Sequence, residues 1–132
     1  MISTKHLRNE KGQSLIEFSI ILPLLLLLLM GIFEFGLMLN SYLTIHNSAR
    51  EGARLGIVSA SDSEINELIT NISPTLDTEN LIVNITPSEG SRKSGGTLTV
   101  ELIYNYQVTI PIISNILSGV VVLKGQTSMR IE

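Results

Sequence analysis

The chain has 132 residues, 44% of them hydrophobic and 16% charged, with a formal net charge of −3 and no cysteine. A chain this short holds one small domain besides any membrane segment, and without cysteine it holds no disulfide or thiolate metal site. The acidic balance, with two histidines, argues against nucleic acid as a partner.

Residues 1–12 carry Lys5, Arg8 and Lys11 against Glu10, whereas the other 120 residues carry six basic and eleven acidic side chains. This short stretch has too few apolar residues to pack and reads as a leader, expected to be disordered or membrane-facing. Phe18 to Leu39 is apolar except for Ser19, Pro23, Gly31, Glu34 and Gly36, and Leu24 to Leu29 is an unbroken leucine run. As a helix this segment reaches about 33 Å, enough for a hydrocarbon core of roughly 30 Å. A backbone in lipid must satisfy its own hydrogen bonds, so the span is expected to be helical. The basic leader places the N-terminus in the cytoplasm and everything after the span outside.

Residues 13–58 read as one long helix, transmembrane in its first half. Beyond Asn40 it becomes amphipathic, with Tyr42, Ile45, Ala49, Ala53 and Ile57 recurring at helical spacing as an inward stripe. Ala49, Gly52, Ala53 and Gly56 are small enough for a neighbouring backbone to approach. Residues 59–132 form the head. Ser61 and Glu64 make an S-x-x-E capping box, followed by Ile65, Leu68, Ile69 and Ile72 at helical spacing and closed by Pro74. Three strands come next. Leu81, Val83 and Ile85 alternate with other residues, as do Leu98 through Ile110 and then Val121 through Ile131, with a single helical turn at Ile112–Leu117 between the last two. The expected fold class is α+β: a long N-terminal helix, a short second helix and a three-stranded antiparallel sheet with one buried face.

The most informative stretch is Lys11-Gly12-Gln13-Ser14-Leu15-Ile16-Glu17-Phe18, running directly into the span. An acid at the centre of a span costs about 2.5–3.5 kcal/mol and less near an interface, so Glu17 calls for a partner. A basic leader, a glycine, four residues, a glutamate and a long apolar helix together resemble the processing site of type IV pilins and pseudopilins. The chain is more similar still to the TadE-like branch of the tight-adherence (Flp) pilus system. That resemblance rests on Gly12 to Phe18, on Leu22-Pro23 before the leucines, on Gly31-Ile32-Phe33-Glu34-Phe35-Gly36, and on Asn47-Ser48-Ala49-Arg50-Glu51-Gly52-Ala53-Arg54, and it covers roughly residues 11–58.

The resemblance implies a pilin-like minor subunit, cut by a membrane-embedded prepilin peptidase between Gly12 and Gln13 and methylated on the new amine. It implies that Glu17 meets the Gln13 amine of a neighbouring subunit, a pairing that offsets the desolvation of both charges and fixes axial register. Its expected partners are the peptidase, other pilins or pseudopilins, the inner-membrane assembly platform with its ATPase, and membrane lipid. Major Flp pilins usually carry tyrosine after the glutamate; Phe18 stands there instead, which favours an accessory subunit.

Each of these residues also has a plainer reading. Gly12, without a Cβ, suits a narrow protease cleft but also an ordinary helix boundary. Glu17 can simply snorkel to the cytoplasmic interface. Glu34, about 25 Å beyond Glu17 along a helix, is expected near the outer interface, facing water or a partner subunit. Arg50, Glu51 and Arg54 form either a solvated face or a subunit contact, with Glu51 and Arg54 paired at i, i+3. Pro23 is expected to kink or loosen the span. His46 stands alone, so neither metal nor cofactor is expected, and no nucleophile–base pair or phosphate loop points to an enzyme. An alternative to the pilus reading is a signal-anchored extracytoplasmic binding or scaffold module, with Gly12 and Glu17 coincidental. A removable signal peptide fits poorly, because the run is long and Val58-Ser59-Ala60 lies about 20 residues too far on.

Overall fold

The computed structural model describes residues 5–132, with side chains from Glu10 onward. Its elements are α1 (Lys5–Gly56), α2 (Asp62–Ile72), β1 (Leu81–Thr86), β2 (Thr97–Gln107), α3 (Pro111–Ile116) and β3 (Val120–Arg130). The α+β class and the order of elements are as the sequence implied. One correction falls at the start. The leader, expected to be disordered or membrane-facing, is helical from Lys5 and so not disordered there, and α1 passes through Gly12 and Pro23 without interruption; residues 1–4 of that leader lie outside the described part. No proline precedes position 23, and an established helix gains one hydrogen bond for each residue it adds, so Gly12 alone does not stop it. At Pro23 the Ser19 carbonyl loses its usual amide donor, while the Ser19 hydroxyl bonds back to the Leu15 carbonyl at 2.7 Å.

From Glu10 to Leu29 every side chain of α1 is exposed, and the helix is long and apolar enough to cross a membrane. From Glu34 onward one face is covered by the head. Ile45, Ala49 and Ala53 are fully buried, as the stripe predicted. Tyr42 is not: it is 41% exposed and its ring leans on His46 with centroids 4.4 Å apart. The buried line runs instead through Glu34, Ser41, Ile45 and Ser48, which leaves Tyr42 at its rim. The Ser48 hydroxyl meets that of Ser73 at 2.6 Å and ties α1 to the end of α2.

The sheet order is β1-β2-β3, antiparallel throughout. Leu98, Val100, Leu102, Tyr104 and Tyr106 point from the central strand into a core shared with Ile65, Ile69 and the α1 stripe. Two glycines set how closely the layers approach. A Cβ on Gly56 would collide with Leu98 and Ile65, and one on Gly125 of β3 would sit 3.1 Å from backbone atoms of Ile45 and His46. The capping box of α2 is complete: the Ser61 hydroxyl accepts from the Glu64 amide, and the Ser61 amide donates to the Glu64 carboxylate at 2.8 Å. That amide donor, with the Ser61 hydroxyl, holds the Glu64 carboxyl below its ordinary range.

Alternation alone extends the central strand to Ile110, but β2 ends at Gln107. The amides of Thr109 and Ile110 leave the sheet and turn towards α1, where Glu34 takes them.

Candidate functional site

The residues singled out in the sequence do not converge on one pocket. They occupy three levels of α1, about 25 Å apart from Glu17 to Glu34 and about 24 Å from Glu34 to Arg50 at helical rise. Among the described residues no cluster of His, Cys, Asp or Glu is arranged to hold a metal ion. The candidate residues form three separate groups along one long helix.

At the first level Gln13 and Glu17 share one helix face, and the Gln13 Nε2 donates to the Glu17 Oε1 at 3.1 Å. Phe18 projects beside them, 58% exposed. Gly12 has open space around it. It is helical here, so a protease reaching this bond must first unwind the turn, and a glycine in a helix interior lowers that barrier by about 1 kcal/mol relative to alanine.

At the second level the structure departs from expectation. Glu34 neither faces water nor is left for a partner: it is 1% exposed and turned into the chain's own head. Its Oε1 accepts from the Tyr106 hydroxyl at 2.6 Å and the Thr109 amide at 3.0 Å, and its Oε2 accepts from the Ile110 amide at 3.0 Å. These donors replace the water that a buried carboxylate would otherwise keep. Burial, then the hydrogen bond to Glu34, pushes the Tyr106 phenol up to about 12. Glu34 stood out in the sequence as an acid in an apolar run, but Tyr106 was read only as one more inward residue of a strand. No local signal joins two residues 72 positions apart.

At the third level Arg50 is exposed, and the Arg54 guanidinium pairs with the Glu51 carboxylate at 2.7 Å, as the spacing predicted. At 100° per residue Arg50 and Arg54 lie about 160° and 200° around the helix from Glu34, on the side away from the head. An exposed pair of this kind contributes little to stability, about 0.2–1 kcal/mol. The neighbouring Ser48, Ala49 and Ala53 of the same block are buried, so the segment has a structural face and a free face. His46 has its Nε2 buried without a hydrogen-bond partner among the described residues.

The three levels fall within one stretch that matches a known family. Residues 12–54 fit the family model described as TadE-like protein. Over that stretch the chain is similar to TadE-like proteins. The match opens on Gly12, takes in Glu17 and Glu34, and closes on Arg54; it includes 43 of the 132 residues and stops short of α2 and the sheet. The matched segment therefore lies within α1, from the candidate processing glycine to the helix's last turn. Neither a curated protein nor a solved structure gives a significant match to the chain. TadE-like proteins are associated with the tight-adherence pilus system and are structural in kind.

Proposed function

We propose that this TadE-like chain is a minor pilin-like subunit of a tight-adherence pilus, anchored in the inner membrane with its N-terminus in the cytoplasm and its head outside. In this reading a prepilin peptidase cuts after Gly12. The Gln13 amine then pairs with Glu17 of a neighbouring pilin or pseudopilin, and the assembly platform draws on the subunit through its helix. The observation that carries the reading is the coincidence of the family match with the register of the motif. The match begins on Gly12, Glu17 lies on the fifth residue after it, and the helix that follows is bare and apolar through Leu29. The contact between Gln13 and Glu17 along one exposed face supports the pairing: the cut end and the acid already share the side of the rod that a second helix would meet. The free face of Arg50, Glu51 and Arg54 supports a further subunit contact just outside the membrane.

The test is the N-terminus of the membrane-bound protein, read by sequencing or mass spectrometry in cells with an active and with an inactivated prepilin peptidase. Processing gives Gln13 in the first and the leader in the second. A leader retained in cells with the active enzyme overturns the reading.

A further inference from the structure

The lower edge of the head carries a surface that the helix motif does not explain. The six-residue α3 lies against α1, with Ile113 buried between them. Gly31, Phe35 and Met38 face Ile113, Ile116 and Leu117 across an apolar crevice. The outer side of this turn is uncovered: Ile112 is 49% exposed, Ile116 66% and Leu117 42%, and Val120 and Val122 at the start of β3 are 45% and 56% exposed. Isolated exposed aliphatics are ordinary, but several of them in one short stretch of a small domain point to an interaction surface.

Its height identifies the partner. Counted from Phe18, Gly31 lies about 20 Å and Met38 about 30 Å along the helix axis, which is the outer third of a hydrocarbon core roughly 30 Å thick. On the helix side Phe33 and Phe35 are exposed at the same height. The charge pattern agrees on both the helix and the head. Between Glu17 and Arg50 the only charged residue of α1 is Glu34, and between Glu101 and Lys124 the head has none. Glu34 is the residue that the head seals.

The backbone agrees as well. Irregular chain at membrane depth needs its polar groups satisfied from within. Where β2 leaves the sheet, the Val108 amide donates to the Gly119 carbonyl and the Thr109 and Ile110 amides donate to Glu34; Pro111 has no amide hydrogen to place. In water this turn would need no carboxylate brought from 75 positions away. Against lipid it does.

From these observations we infer that α3 and the first residues of β3 form a membrane foot, seated in the acyl–headgroup boundary of the bilayer that holds α1, with Glu34 closed beneath it. The foot fixes the tilt and rotation of the head over the bilayer, because a second point of attachment removes the freedom left by a single helix. This inference rests on the proposed membrane anchoring of α1.

The experiment uses the full chain in vesicles of phosphatidylethanolamine and phosphatidylglycerol. As the chain has no cysteine, single nitroxide labels enter cleanly at Ile116→Cys on the foot, Leu26→Cys in the span and Gln126→Cys on the outer face of the sheet. Collision with oxygen, which concentrates in lipid, is compared with collision with a water-soluble nickel chelate. The foot predicts oxygen dominance at Leu26 and Ile116 and nickel dominance at Gln126. Nickel dominance at Ile116 with oxygen dominance at Leu26 overturns the foot and leaves the anchor standing. Nickel dominance at Leu26 overturns the anchor and the foot with it. Shielding of Ile116 from both reagents that is relieved by diluting the chain in lipid assigns the surface to a second copy and overturns the lipid contact.

Discussion

The Tyr106 hydroxyl and the Glu34 carboxylate, 72 positions apart in the chain, meet at 2.6 Å inside the joint between the long helix and the head. The amides of Thr109 and Ile110 complete the arrangement. A carboxylate with three donors is stable in such a place only while all of them remain, since the loss of a partner leaves a buried polar group unmade at about 1–3 kcal/mol, and more when the group is charged. Tyr106→Phe is expected to lower the stability of the head by about 1.5–3 kcal/mol, the range for a hydrogen bond to a charged group. Glu34→Ala is expected to lower it further, because it strands two amides and a phenol together. Thermal unfolding of the chain in detergent, followed by circular dichroism, checks both. Melting temperatures equal to that of the unaltered chain would show that the joint is held elsewhere.

The same contact gives a dependence on alkali. Burial first, and then the bond to Glu34, raises the Tyr106 phenol from 10.0 to about 12 in the folded chain. The proton is thus held more tightly folded than unfolded. The stability this contributes is present in full below pH 10 and is lost as the pH rises from there through about 12. The difference in tyrosinate absorbance between the unaltered chain and Tyr106→Phe is expected to titrate in that upper range, or to rise abruptly where the head unfolds. A difference curve centred at the ordinary tyrosine value would show that the phenol is not sealed.

Much of this architecture is legible in the residues because it is local or periodic. The capping box at Ser61 and Glu64 set the start of α2, alternation set the faces of the three strands, and the stripe through Ile45, Ala49 and Ala53 named the side of α1 that the head covers. What the sequence hid depends on long-range pairing. The end of β2 is decided by a carboxylate on another element, so alternation carried the strand to Ile110, beyond its true end at Gln107. Tyr42 and Ser41 adjoin in the chain, and only the placement of the sheet makes Ser41 the buried one. Gly125 is one glycine in an alternating strand, and nothing local says that a helix backbone lies against it. At the candidate site the Glu51–Arg54 pair was readable, whereas the inward turn of Glu34 was not.

The capping box offers a test confined to α2. Ser61→Ala removes the hydroxyl that accepts the Glu64 amide at 3.2 Å, and loss of an N-cap of this kind lowers stability by about 0.5–2 kcal/mol. Chemical denaturation of the unaltered and substituted chains is the measurement, with a shift in midpoint and no change in slope expected. The carboxylate half of the box has its own sign. Its folded value lies below the ordinary one, so its contribution is present above the ordinary glutamate range and is lost as the pH falls through the lowered value. The midpoint difference between unaltered chain and Ser61→Ala is therefore expected to narrow in acid.

Gly125 tests how closely β3 and α1 must approach. An added methyl would lie 3.1 Å from the Ile45 carbonyl carbon and the His46 amide nitrogen. Both are backbone atoms of a packed helix and cannot rotate aside as a side-chain end can. Overpacking of this sort costs about 1–3 kcal/mol. Gly125→Ala is expected to destabilise the head by that amount, whereas Gly90→Ala, at a glycine with open space around it, is expected to change little. Equal melting temperatures for the two variants would mean that the strand shifts freely over the helix.

Glu17 separates a role in assembly from a role in folding. Among the described residues its carboxylate meets only the exposed Gln13 side chain, at 3.1 Å, and exposed contacts of that kind change stability by less than about 0.5 kcal/mol when removed. Glu17→Leu is therefore expected to leave the melting temperature of the head unchanged and to make the chain easier to place in lipid, since an acid no longer enters the apolar run. If the acid receives the amine of a neighbouring subunit, the same substitution strands that amine, and co-purification with sister pilins from membranes falls sharply. Glu17→Gln keeps the shape without the charge and is expected to fall between the two. Undiminished co-purification of Glu17→Leu, with processing at Gln13 intact, would remove the acid from subunit recognition and leave register to the apolar faces of the helices.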